Sequence, residues 1–185
     1  MLISGRFGNI RTKTTCSCTP GNTGWVSAGN GANNGTGTSW TNPTNIYVSD
    51  NNRAFVSLSL YGQAQNLFAT NFDMSAIPDC AVISQVEVRA EMYQNVGPSI
   101  HGVFYLVKGG ALTGSSSSSV IPTSTEAYIT RTGDAGADPL WSATLTPADV
   151  KSTNFGCALQ GFVIDSYDSN VIYCDHVQMR VSWTC

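Results

Sequence analysis

Residues 175–183, Asp-His-Val-Gln-Met-Arg-Val-Ser-Trp, alternate without interruption: Val177, Met179, Val181 and Trp183 are apolar, while Gln178, Arg180 and Ser182 are polar. Successive side chains of a strand point to opposite faces, so a period of two places the apolar set against a core and the polar set toward solvent. Burying those four side chains contributes about 6–12 kcal/mol before the entropy of ordering is charged against it. The strand therefore needs a second apolar layer, and that need constrains the rest of the chain.

Residues 82–93 repeat the pattern. Val86, Val88, Ala90 and Met92 share one face, and Glu87, Arg89 and Glu91 the other. Charge confined to one face is the habit of antiparallel sheets that cover a core on one side. The two apolar faces are expected to close on each other from opposite sheets. Further short strands are expected at residues 45–48, 54–61, 65–72, 103–108, 127–130, 140–145, 157–164 and 171–174, separated by Gly, Pro, Asn and Asp. One helix start stands out at Thr146-Pro147-Ala148-Asp149, with Thr as N-cap, Pro at the first helical position and an acid three residues after the cap. Only one or two turns fit there.

Eight to ten short strands and almost no helix define an all-β class, an antiparallel two-sheet β-sandwich or jelly roll. Charged residues make up 11% of the 185-residue chain, which suits strands and polar loops better than ion-paired helices. The length holds one domain. We expect an extended arm over residues 1–24 and a single sandwich over 25–185, with a Gly/Asn-rich loop at 29–37 and a mobile serine loop at 115–119.

Function is less legible. The net charge of −3 gives no reason to expect nucleic acid. Its distribution is uneven: Arg6, Arg11 and Lys13 are the only charges before Asp50, making residues 1–24 a mildly basic arm. Residues 1–6 lack the apolar centre of a signal peptide, and no run is long and apolar enough to span a membrane as a helix, so synthesis in a cytoplasm is expected. The six cysteines are Cys16, Cys18, Cys80, Cys157, Cys174 and Cys185. Their spacing is not that of a zinc site, and the choice is between buried thiols and disulfides formed after release, in any of fifteen pairings.

Catalytic chemistry finds little material. His101 and His176 are the only histidines, the chain has no GxSxG elbow, and Glu87 and Glu91 are too far apart along one strand for glycoside hydrolysis. Asp165, Asp168 and Asp175 lack calcium-loop spacing, and the 29–37 glycines lack phosphate-loop order. No catalytic residue, metal or cofactor is expected. Aromatic rings beside amides are what a sugar-binding face needs, and Trp25, Trp40, Tyr47 and Trp141 are the candidates.

From Trp40 onward the chain resembles the small all-β virion proteins of tailed bacteriophages, the jelly-roll decoration (cement) proteins and tail-fibre domains. The resemblance is carried by Trp40-Thr41-Asn42-Pro43, Asp50-Asn51 ahead of Ala54, Phe72 leading to Ile77-Pro78, and Ile83 with Val86-Glu87-Val88. Toward the end it is carried by Leu140-Trp141, Thr146-Pro147, Phe155-Gly156 and Ile164-Asp165. It implies a noncatalytic role in a virion, with the major capsid protein or other virion subunits as partners, homo-oligomers, no nucleic acid and no membrane. The expected contact is the arm bearing Arg6, Arg11 and Lys13. The alternative it implies is a tail-fibre or tail-tip module that binds a host glycan.

Overall fold

The computed structural model describes residues 16–95, 100–133, 138–164 and 170–185. In chain order the elements are β1 (Gly21–Asn22), β2 (Val26–Ser27), β3 (Asn30–Asn34), β4 (Ala54–Leu58), β5 (Asn66–Thr70), β6 (Val82–Gln94) and β7 (Ile100–Lys108). Then come β8 (Ala111–Thr113), β9 (Ala127–Arg131), the short helix α1 (Pro147–Val150), β10 (Gly156–Val163) and β11 (Asn170–Thr184).

Two antiparallel sheets result. One runs β4-β11-β6-β9, with β1 and β2 docked along the same edge of β11 as β4; the other runs β3-β5-β10-β7-β8. From β4 to β11 the chain moves between the sheets in the pattern of two Greek keys, which is a jelly roll. All-β architecture with one short helix is thus what the periodicity predicts.

The apolar faces read from sequence are the inner faces. Val86, Val88, Ala90, Met92, Val177, Met179 and Val181 are all buried. They belong, however, to neighbouring strands of one sheet, paired as Val177↔Ala90, Met179↔Val88 and Val181↔Val86. The expectation that they close on each other from opposite sheets is corrected: a period of two fixes the face of a strand and says nothing of its neighbours. The opposing layer comes from Leu67 and Ala69 of β5, Phe104 and Leu106 of β7, and Cys157 and Leu159 of β10, all in the same buried cluster. β10 is flanked on both sides, and Gly156 permits this. A Cβ there would stand 2.0 Å from the carbonyl oxygen of Ala69 on β5.

The helix starts as expected. Thr146 accepts from the Asp149 N–H, and the Asp149 carboxylate accepts from the Thr146 N–H in return. Four local expectations do not hold. Residues 45–48 form no strand: a turn over 43–46 sinks Ile46 into the core, and Tyr47 makes a single bridge to His176. Residues 140–145 carry no strand: Trp141 and Ser142 have φ of 58° and 55°, and the Trp141 indole is buried with its N–H donated to the Val86 carbonyl. Within the supposed loop at 29–37, Asn30–Asn34 is an edge strand paired with β5, fastened because the Asn33 amide bonds both backbone groups of Trp40. The serine loop is tied to β7, with Ser117 buried and its hydroxyl accepting from the Phe104 N–H.

Of the expected arm, residues 16–24 are bound to the sandwich. Cys16 is disulfide-bonded to Cys80 and Cys18 to Cys185. The Trp183 indole donates to the Thr19 carbonyl, and β1 pairs Gly21 with Trp183. Residues 16–24 of the expected 1–24 arm thus lie against the sandwich. Residues 1–15 lie outside the described residues.

Candidate functional site

The outer face of the first sheet carries the polar positions of the alternating strands. Register decides which of them meet: Arg180 sits opposite Glu87, Gln178 opposite Arg89, His176 opposite Glu91, and Tyr173 opposite Tyr93. Arg180 and Glu87 form an ion pair at 2.6 Å. The Arg89 guanidinium carbon lies 4.3 Å from the ring centres of both Trp25 and Tyr128, while Nε donates to Gln178 Oε1 at 2.8 Å. Arg180 stacks on the same Trp25 ring at 4.7 Å. Each such contact contributes about 0.5–1 kcal/mol at a partly exposed site. Tyr93 and Tyr173 stack at 4.5 Å, with Arg53 5.2 Å from the Tyr93 ring centre and paired to Glu126 at 2.6 Å.

A bulge in β11 between Cys174 and His176 breaks the alternation. His176 lies between two hydroxyls, Nδ1 2.7 Å from Tyr128 Oη and Nε2 2.8 Å from Ser27 Oγ. Only 7% of the residue is exposed, and burial holds the imidazole below its ordinary value, with Glu91 opposing that shift and Arg89 reinforcing it. Burial and the neighbouring Glu91 raise the Tyr128 phenol. Asp175, 1% exposed, has its carboxyl raised by burial although Asn51 N–H donates to Oδ2 at 3.0 Å; Oδ1 has no partner among the described residues.

A serine within reach of a histidine invites a test for nucleophilic catalysis. The second imidazole nitrogen faces a phenol where a triad needs a carboxylate to hold the tautomer and stabilise the imidazolium. Ser27 Oγ lies also 3.4 Å from Gln178 Nε2, and neither of the two clefts described below is lined by Ser27. The relay Ser27-His176-Tyr128 joins β2, β11 and β9 into one face. Its geometry fits a latch.

Beside this latch runs the loop 41–53, fixed at several points. Ile46 is fully buried and its carbonyl accepts from Val177 N–H; Thr41 pairs with Phe55, Tyr47 with His176, and the Tyr47 hydroxyl accepts from Gly31 N–H at 3.1 Å. Asn42 and Asn51 supply the left-handed turns, at φ of 52° and 65°. The loop borders an open cleft of about 410 Å³ lined by Thr44, Asn45, Tyr47, Val48, Asp50 and Asn52. Asp50 accepts from both the backbone and the side-chain amide of Asn52, which lowers its carboxyl below the usual range. A second cleft, of about 420 Å³, lies at Asn71–Ser75 beside Lys151.

Of the four candidate aromatics for a glycan face, two are packed in the core. Trp40 is 2% exposed with its indole N–H on the Gln65 carbonyl, and Trp141 is 0% exposed. Trp25 is half-buried beneath Arg89 and Arg180, which leaves Tyr47 as the aromatic that lines a cleft. Of the six cysteines, Cys157 and Cys174 are buried thiols, the former pushed up to about 12 by burial. The Asp165 and Asp168 of the rejected calcium reading, and Arg6, Arg11 and Lys13, lie outside the described residues. Among the described residues no group of three or more His, Cys, Asp or Glu side chains is placed to hold a metal ion, and no helix is long and apolar enough to cross a membrane. Sequence reasoning missed Ser27, Arg89 and Tyr128 as a unit with His176. The signal was present only as polar positions on strands, which become a site once the register is known.

These features define a jelly-roll sandwich with a disulfide-clasped N-terminal strap and a polar, aromatic outer face. No protein-family model, curated protein or solved structure matches the chain.

Proposed function

We propose that this chain is a noncatalytic structural protein of a phage particle, a decoration or cement protein that binds the capsid surface. The contact is made by the N-terminal segment together with one face of the sandwich, and copies associate as a homo-oligomer on the shell. The observation that carries the reading is the double clasp. Cys16 and Cys18 are held by Cys80 and by the terminal Cys185, so the basic stretch bearing Arg6, Arg11 and Lys13 departs from a point covalently fixed to the fold. A fixed departure point suits a tether, since a load on the segment is passed to the sandwich through covalent bonds. On the outer face Ser27 and Tyr128 both bond His176, and Arg180 pairs with Glu87, which supports a structural role for that face.

The test is co-sedimentation with purified particles. Removing residues 1–15 spares both disulfides, and the shortened chain is expected to fold with unchanged melting and to lose particle binding. Undiminished binding overturns the tether.

A second reading, a glycan-binding module of a tail fibre or tail tip, keeps one supporting observation, the cleft at Tyr47.

A further inference from the structure

We propose that the cleft of loop 41–53 is a binding site for a neutral saccharide, centred on Tyr47, Asp50 and Asn52. The inference rests on the glycan-binding reading and goes further by naming the site and the ligand chemistry. The lining consists of a hydroxyl (Thr44), two amides (Asn45, Asn52), one carboxylate (Asp50), one aromatic ring (Tyr47) and one aliphatic group (Val48). Hydroxyl-rich ligands are recognised by such amide and carboxylate oxygens, with an aromatic or aliphatic surface against the C–H face of the ring. Among the described residues no cation lines the cleft, which favours a neutral ligand over phosphates, nucleotides and acidic sugars.

A metal ion fits less well. Asp50 is the one carboxylate in the lining among the described residues, and both its oxygens already accept from Asn52. Those bonds fix the carboxylate and leave it further lone pairs for sugar hydroxyls. The Thr44 and Asn45 side chains bond nothing among the described residues, and Val48 is 60% exposed, so the polar and apolar groups that a sugar needs stand unengaged together. The frame is preorganised. Ile46 anchors the loop in the core, Gly31 N–H holds the Tyr47 hydroxyl, and Asp175 holds Asn51, so binding costs little loop ordering. A volume of about 410 Å³ lies within the range of small-ligand sites and suits one or two sugar rings.

The experiment uses the full chain. It is applied to an array of neutral oligosaccharides, and amide chemical shifts are followed by NMR during titration with glucose, galactose, mannose, rhamnose and N-acetylglucosamine at millimolar concentrations. Binding to at least one neutral glycan is expected, with shifts concentrated on residues 44–52. Asn45→Ala and Asp50→Ala, both outside the core, are each expected to weaken that binding at least about tenfold, the loss of a charged or well-placed hydrogen bond, with melting unchanged for Asn45→Ala and slightly lowered for Asp50→Ala, which also loses the two Asn52 bonds. Binding with shifts on the Trp25 face, or binding indifferent to both variants, overturns the site and leaves the glycan reading standing. Silence on the array and in the titration overturns both.

Discussion

Breaking the Cys18–Cys185 clasp measures what the strap contributes to the fold. The bond closes a loop of sequence separation 167, and Cys16–Cys80 one of 64. With Cys16–Cys80 intact, the shortest covalent path from Cys18 to Cys185 shrinks to about 107 residues, for which the chain-entropy relation gives about 4.8 kcal/mol. Measured disulfides range from about 2 to 5 kcal/mol, so the Cys18→Ser/Cys185→Ser double variant is expected to lose that much. An unfolding entropy of about 0.4 kcal/mol/K for a chain of this length converts the loss to roughly 5–12 °C in Tm. The assay is guanidinium denaturation of both proteins followed by circular dichroism, with thiols titrated in denaturant. The wild-type chain is expected to show two thiols, Cys157 and Cys174. Two thiols with a stability loss under about 1 kcal/mol would refute the chain-entropy reasoning. Six thiols in the wild type would refute the pairing itself.

Three further outcomes follow from the packing. Trp25→Ala removes the ring on which Arg89 and Arg180 both stack, and is expected to cost about 1–2 kcal/mol in chemical denaturation without altering the fold. Gly156→Ala drives a methyl group into the Ala69 carbonyl and is expected to cost about 3 kcal/mol or more, read as loss of the folded fraction or a large drop in Tm. His176 has its folded value below the unfolded one, so between the two the unfolded chain binds more protons and stability rises with pH. The imidazole's contribution is complete above about pH 6.5 and is lost as pH falls from there toward the folded value, whereas the lowered carboxylates of Asp138 and Asp149 act only below about pH 4. His176→Gln is expected to flatten the stability profile below about pH 6.5, while the raised Asp175 carboxyl, common to both proteins, acts with the opposite sign; an unchanged slope would show that the latch does not titrate there.

What the sequence made legible follows from where side chains report on backbone. The alternation in residues 82–93 and 175–183 gave the correct inner faces, because burial acts on each strand independently. Pairing stayed hidden: β6 and β11 are adjacent, and their shared register brings Arg89 to Gln178 and Glu91 to His176. Leu140-Trp141 read as a strand although the backbone turns left-handed there, since an apolar run is equally consistent with a turn that sinks one indole into the core. Asn30–Asn34 read as a loop because glycine and asparagine are poor strand formers; its place at the sheet edge comes from backbone bonds to β5 and from the Asn33 side chain. The cleft was half legible. Tyr47 stood out by type, while Asp50 and Asn52 looked like turn residues, which they also are.

The central claim is that the clasped jelly roll decorates a capsid, and an averaged electron-microscopy image of the particle carrying the intact chain tests it most directly. The account predicts many symmetry-related copies of a sandwich-sized density on the shell, missing from particles made with the chain that lacks residues 1–15. Density at the tail with a bare shell, or a particle without the protein, would contradict it.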